Sequence, residues 1–562
     1  MTGIKFKIKF QGDMIKRFTD NFTKGEKISE SITRSAILIA TMGLASRILG
    51  LVRDRILASK FGAGDILDAY YTAFKIPDLI YNLLILGALS AAFIPVFSSL
   101  ISGKDKSNKN KDAWQLVNTM LSIGVVGVVI VSGILFIFTN SLVDLIAFGY
   151  DEEKKSMVIN MTRIMLFSPI LLGVSGIFGG VLNSFKKFFF YSLSPIFYNL
   201  GIILGATLLA DNFNYLGLAG GVVIGATMHL IVQLPETYRC GFKFQFNFKW
   251  NEKYFKKVMR LMIPRTLGIA TVQINLVVIV MLASTLKSGS LAVFNFASNL
   301  QSVPLGLIGI SFAVASFPVL SGLWGQGKTD EFIIKLSDTL KKISFFIIPM
   351  SAFIYVLRAQ IVRVILGTGK FNWEDTQLTF TALGIFAISL WAQSVIPLLA
   401  RAFYAMHNTK APFLIGLFSG ILNVILSLIF IKQHGVLGLA LAFTITNIFN
   451  AGALFFWIRV KVGKIKKMGI IKSFNKVILA TMVALIIVQI IKNLIGAEPF
   501  GEKQTFIGIL TQLAIAGLGG GVSFIFLGWQ LKIKELIHFT NTIHKKIIDK
   551  KNIPGARDEV SS

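Results

Sequence analysis

The chain has 562 residues, of which 54% are hydrophobic and only 15% charged, with a mean hydropathy of +0.69; a soluble domain carries roughly 25% charged residues. That balance excludes an ordinary soluble fold. The net charge of +29 would suggest a nucleic-acid partner in a soluble protein, but here the basic residues punctuate long apolar runs, as in a polytopic membrane protein with positive loops on one side. A single cysteine, Cys240, cannot form an intrachain disulfide, and five scattered histidines lack metal-ligand spacing, so disulfide-scaffold and zinc-enzyme readings fall and no cofactor or metal is expected.

In chain order, residues 1–34 form a basic tail in which Lys5, Lys7 and Lys9 alternate with Ile4, Phe6, Ile8 and Phe10. The tail lacks the apolar core of a signal peptide, and its two readings are a solvated topology tail or a segment lying on anionic headgroups. A bilayer crossing needs about 20 apolar residues. Dividing the apolar runs at Gly, Pro and charge clusters predicts fourteen spans, at 35–59, 66–102, 113–138, 157–185, 189–210, 215–238, 257–286, 289–322, 332–357, 376–405, 411–431, 436–458, 473–494 and 505–530. Alternate sides of this parse hold 40 and 10 basic residues, which puts both termini in the cytoplasm. The last tail, 531–562, is basic, with helical spacing of Ile533, Leu536, Ile537, Ile543 and Ile547 that suits an interfacial helix. Neither tail has the aromatic interleaving of a nucleic-acid binder.

Three matches recur at nearly one offset: Leu216–Ala219 over Leu437–Ala440, Ala92–Leu100 over Ala315–Leu323, and Asn199 over Asn423. The offset covers an even number of spans, so the repeat is parallel. The expected fold is therefore all-α: an N-lobe at 35–238 (spans 1–6), a basic cytoplasmic linker at 239–256, a C-lobe at 257–458 (spans 7–12) related by a pseudo-twofold axis, and two extra helices at 473–530. Paired lobes enclosing a cleft are the architecture of transporters.

Span 1 carries Gly43, Arg47, Gly50 and Asp54 along one helical stripe, flanked by Arg53 and Arg55. Span 2 adds Asp68, Lys75 and Asp78 around Pro77, which should break the helix, and span 7 adds Arg265 directly after Pro264. An Arg or Asp near a bilayer centre costs about 2.5–3.5 kcal/mol and normally faces a partner or a water-filled cavity. The structural alternatives are an Arg47–Asp54 ion pair that fixes packing and snorkelling of Arg53 and Arg55 to the outer interface. Inward cations suit an anionic, phosphate-bearing headgroup. Asp151 to Lys155 reads as a solvated turn, and Glu374 with Asp375 as first-turn acids of span 10.

Ser46–Asp54, Phe61–Pro77, Ala91–Phe97, Gly369–Thr376 and Ala400–Pro412 resemble the motifs of the MurJ (MviN) lipid II flippase family of the MOP exporter superfamily. The resemblance implies a transporter without catalytic residues that moves undecaprenyl-pyrophosphate-linked disaccharide pentapeptide across a bacterial cytoplasmic membrane, with spans 13 and 14 forming a groove for the lipid tail. Its partners would be lipid II, membrane lipids and the cell-wall synthesis machinery. The family's functional arginines fall on Arg47 and Arg53, and its acidic positions on Asp54 and Asp68. Where the family usually carries cavity charges, this chain has Tyr81 and Asn82, Leu86, Asn299 and Ser302. Arg265 is expected either to replace lost charge in the cavity or to snorkel with Arg260. Residues 411–458 hold no Asp or Glu, so Asn275, Asn423, Ser427 and Thr444 read as packing donors and the membrane potential as the simpler driving force. The rivals are another MOP exporter, for a lipid-linked oligosaccharide or for drugs, and a membrane glycosyltransferase. The last would need a catalytic group in an outer loop.

Overall fold

The computed structural model describes residues 28–86, 92–101, 106–463, 469–496 and 505–541, without the side chains of 28–36, 86, 106–110, 264, 265, 267, 268 and 496. The N-terminal tail reading, Ile543 and Ile547, and the side chain of Arg265 lie outside the described residues.

The described residues are overwhelmingly helical, and eleven of their helices are long and apolar enough to cross a membrane. The elements are α1 (Ile28–Phe61), α2 (Asp65–Ala73), α3 (Lys75–Ile80), a π-helical turn (Tyr81–Leu86), α4 (Ile94–Ile101), α5 (Lys106–Ile137), α6 (Thr139–Ile146), α7 (Glu152–Met165), α8 (Ser168–Ser184), α9 (Phe188–Leu204), α10 (Ala210–Phe213), α11 (Tyr215–Arg239) and α12 (Lys253–Ala283). They continue with α13 (Ser290–Pro304), a further π turn (Leu305–Ile310; another, Gly205–Leu209, joins α9 to α10), α14 (Ser311–Gly325), α15 (Thr329–Ile365), α16 (Trp373–Ala405), α17 (Lys410–His434), α18 (Val436–Val462), α19 (Ile470–Gly496) and α20 (Phe506–Gln530).

Span 2 is interrupted, as its proline requires. Pro77 has no N–H to donate to Ala73, so α2 stops at Ala73 and the chain resumes as α3 after Phe74. Span 4 divides in the same way ahead of Pro169, into α7 and α8. The short helix α6 has no counterpart in the predicted spans; at eight residues it is too short for the span criterion.

The internal repeat has a structural counterpart. α11 is entered through Asn214 at φ 49°, ψ −130°, and α18 through Gly435 at φ 55°, ψ −131°. Each corner closes with the same bond, Gly217 N to Asn214 O at 3.1 Å and Gly438 N to Gly435 O at 3.0 Å. The π turns at Tyr81–Leu86 and Leu305–Ile310 also fall at equivalent places of spans 2 and 8.

Two compact units emerge: residues 1–53, 80–134 and 164–266, and residues 54–79, 135–163 and 267–562. Their borders do not follow the sequence lobes, because 54–79 and 135–163 cluster with the second unit. In the first unit α9 and α11 pack backbone to backbone: a Cβ at Gly201 would lie 2.2 Å from Gly225 Cα, and one at Gly205 would lie 2.3 Å from Gly221 Cα. Small residues allow this approach in lipid, where dispersion replaces the hydrophobic effect between helices. A buried cluster of Phe93, Phe97, Leu116, Phe178 and Phe242 fills the rest of that unit. In the second unit α14, α15 and α16 share a core around Phe332, Ile343, Leu398 and Phe403. The helices α19 and α20 pack on α15 through Phe345, Val477, Val488 and Phe524.

Beyond α20 the chain is helical again over 534–541. Ile533 and Leu536 at its start are buried against Phe345, Val477 and Phe524.

Candidate functional site

The charged stripe of α1 faces different neighbours in each unit. In the first unit the Arg53 guanidinium donates to Asn199 Oδ1 at 3.0 Å, and Asn199 Nδ2 donates to Pro195 O at 3.0 Å and to Ser46 O at 3.4 Å. A polar side chain on α9 therefore fixes the direction of Arg53, a role that its place in the repeat did not reveal. Arg47, one α-helical turn and a half earlier, is half-buried.

In the second unit Asp54 is 2% exposed and accepts a hydrogen bond from Asn299 Nδ2 at 3.0 Å. Asn299 is thus a neutral donor to a buried carboxylate. Arg55 does not snorkel: its guanidinium bonds Val364 O and Ile365 O, the last carbonyls of α15, and lies 5.2 Å from the centroid of the Phe506 ring. A cation at a helix C-terminus is favoured by the helix dipole.

On α2, Asp68 is bonded to residues far away in the chain. Its carboxylate accepts from Gly289 N at 2.8 Å and Ala292 N at 2.9 Å, capping α13 from a distant part of the chain. Gly289 sits at φ 86°, and a Cβ there would lie 2.0 Å from Ala63 O, so both conformation and space demand glycine. Lys154 Nζ reaches Asp68 Oδ2 at 2.9 Å and Asp65 Oδ1 at 2.7 Å, and lies 4.1 Å from the Tyr150 ring centroid. The Tyr150 hydroxyl meets Thr72 Oγ1 at 3.2 Å. Lys154 is 5% exposed, which corrects the reading of 151–155 as a solvated turn. Asp151, Glu152 and Glu153 are exposed and keep that character, and Lys155 pairs with Asp144 and Glu152.

Burial pushes the Asp65 carboxyl up, but hydrogen bonds from Lys154 and Ser288 outweigh it and hold the group below its ordinary value. A second set of contacts surrounds Gly369–Thr376: Asn372 and Asp375 form a capping box on α16, Asp375 Oδ2 accepts from Ala63 N at 3.2 Å, and Lys370 N donates to Ser59 O at 2.8 Å. The first-turn acids thus serve the helix start, as expected, and Asp375 also holds the α1–α2 connection.

Tyr81 and Asn82 are half-buried on the π turn, and Gln273 of α12 donates to Asp78 O at 3.5 Å. Asn423 Nδ2 donates to Thr446 Oγ1 at 3.3 Å, and Ser389 Oγ to Thr444 Oγ1 at 3.4 Å, which are contacts of helix packing. Among the described residues no group of three or more His, Cys, Asp or Glu converges.

This arrangement has relatives. The lipid II flippase MurJ family profile matches residues 57–498. "Probable lipid II flippase MurJ" of Buchnera aphidicola subsp. Acyrthosiphon pisum is 30% identical over 521 residues, covering 91% of this chain and 99% of that protein. The protein of the same description from Thermotoga maritima is 31% identical and covers 78% of this chain and 88% of its own. Among solved structures, "Lipid II flippase MurJ, inward closed conformation" superposes with a TM-score of 0.72 at 26% identity, over 88% of this chain and 99% of that one. An inward-facing multidrug MATE transporter of the MOP superfamily reaches 0.63 at 16% identity, over 76% of this chain and 99% of that one, a likeness of fold alone. Profile, sequence relatives and fold agree over most of the chain, which therefore belongs to the lipid II flippase MurJ family.

Proposed function

We propose that this chain moves lipid II from the cytoplasmic to the outer leaflet of the cytoplasmic membrane by alternating access, with Arg47 and Arg53 engaging the pyrophosphate. Membership of a flippase family makes it a transporter rather than an enzyme. The observation that carries the role of the arginines is the bond from Arg53 to Asn199, which orients the guanidinium from a neighbouring helix of the same unit. A guanidinium held in a fixed direction suits the planar, multidentate recognition of phosphate oxygens better than a mobile ammonium.

Asp54 and Asp68 act differently in this reading. Both are buried and bonded to α13, so they fasten the ends of α1 and α2 that lie after Arg53, and substrate release on that side requires these bonds to open. The basic residues, 40 on one side and 10 on the other, support cytoplasmic termini and an outer-face location for this fastening. Tyr81, Asn82, Asn299 and Arg265 are proposed to line the path, with Arg265 supplying charge that the family usually carries elsewhere. The cell-wall synthesis machinery is proposed as the protein partner.

Complementation of a lipid II flippase depletion strain tests this. Wild type should restore growth, while Arg47→Ala and Arg53→Ala, expressed to equal levels, should each fail. Normal growth of the double variant would remove the cationic mechanism.

A further inference from the structure

The connection between α11 and α12 is basic in sequence and would be expected in water, yet its structure is that of a chain laid along a membrane helix. Residues 242–249 are in neither helix nor strand. Phe242 is 3% exposed, with its ring 5.9 Å from that of Trp114 and 5.2 Å from that of Phe178. From this anchor the backbone is held by side chains of α5: Asn118 Nδ2 donates to Lys243 O at 3.0 Å, Asn118 Oδ1 accepts from Gln245 N at 3.0 Å, and Ser122 Oγ accepts from Asn247 N at 3.1 Å. Asn118 and Ser122 are themselves buried beneath the segment.

Trp114, Asn118 and Ser122 are spaced four residues apart, so they lie along one face of α5 and rise about 12 Å in all. The stretch Lys111–Ile137 of α5 is long and apolar enough to cross a membrane. The segment therefore runs beside the polar face of this first part of α5, whose side chains satisfy the backbone groups that an irregular chain cannot leave bare in lipid. The aromatic side chains of this segment are not covered by the protein: Phe244, Phe246, Phe248 and Trp250 are 48%, 78%, 48% and 64% exposed, and Lys243, Gln245 and Lys249 beside them are exposed as well. Between Arg239 and Lys257 the basic residues are Arg239, Lys243, Lys249, Lys253, Lys256 and Lys257, against Glu252 alone.

We propose that residues 242–250 form a strap seated at the headgroup–acyl boundary of an anionic leaflet, with Phe244, Phe246, Phe248 and Trp250 among the acyl chains and Lys243 and Lys249 at the lipid phosphates. Aromatic rings are favoured at that depth, and an anionic surface attracts flanking lysines. The partner is bulk anionic phospholipid rather than a protein, because polar and aromatic side chains alternate along the segment, with a lysine near each end, instead of gathering at one patch.

The test uses the full chain carrying Cys240→Ser, with single cysteines placed in turn at 243 to 250 and at Lys111, labelled with a nitroxide and reconstituted in phosphatidylcholine vesicles with or without phosphatidylglycerol. Collision rates with oxygen and with a water-soluble nickel chelate report depth. In mixed vesicles Phe244→Cys, Phe246→Cys and Phe248→Cys should show nickel access several-fold below the Lys111→Cys reference, with Lys243→Cys and Lys249→Cys near it, giving a period of two. Nickel access at position 246 equal to the reference would overturn the strap. Removing phosphatidylglycerol, or adding Lys243→Gln and Lys249→Gln to the protein labelled at 246, should raise nickel access there at least twofold. An unchanged depth would overturn the anionic-lipid assignment.

Discussion

Lys154 lies in a run of five charged residues, Asp151 to Lys155, at the start of α7, where a solvated side chain would be ordinary, and it is buried between two carboxylates instead. Nothing in the local pattern marks it, since its partners Asp65 and Asp68 are more than eighty residues away. Removing one member of such a buried set leaves uncompensated charge and unpaired α13 donors. Asp68→Ala is expected to destabilise the protein by about 3 kcal/mol, read as a fall in detergent melting temperature, with Asp68→Asn intermediate. Asp65 gives a pH signature. Its carboxyl is held below its ordinary value, so its contribution is present above about pH 4 and fades as the pH falls through its folded-state value. The melting difference between wild type and Asp65→Asn should therefore be present at pH 7 and shrink below about pH 4. The effect should be small, because the side chain is 53% exposed.

At the scale of elements, the α9–α11 contact shows why glycine count alone says little. Gly201 and Gly225 meet through their backbones, while a methyl group added at Gly416 or Gly420 on α17 would meet nothing within 4 Å. Gly201→Ala should cost about 1–3 kcal/mol through overpacking, whereas Gly416→Ala should be neutral or slightly stabilising through helix propensity. Melting of the two purified variants side by side checks this, and equal behaviour would contradict the packing account. Apolar runs and proline positions made the spans legible, including the break near Pro77. The strap at 242–250 and the docking of Ile533 and Leu536 were not, because each depends on which surface of a remote helix is available to cover it.

For the whole molecule, the distribution of charge matters more than its sum. In the fourteen-span reading most of the basic residues fall on one side, and a small remainder sits in the spans. If charged groups move through the field during transport, each is worth about 2.3 kcal/mol per 100 mV, enough for a rate change of more than roughly tenfold. Flipping of lipid II by reconstituted protein is expected to slow by at least that order when the potential is collapsed. An unchanged rate would point to a different energy source.

The sequence by itself determined the membrane class, the run of apolar helices, the parallel repeat and the motifs of the family. These follow from local hydropathy, from proline chemistry and from residues close together in the chain. Only the tertiary structure decided that Arg53 answers to Asn199, that Asn299 serves Asp54, that Arg55 caps α15 and that Lys154 joins Asp65 to Asp68. A buried charge is held by whichever donor the packing of distant helices brings within about 3 Å, and that distance is not written in the spacing of any one segment.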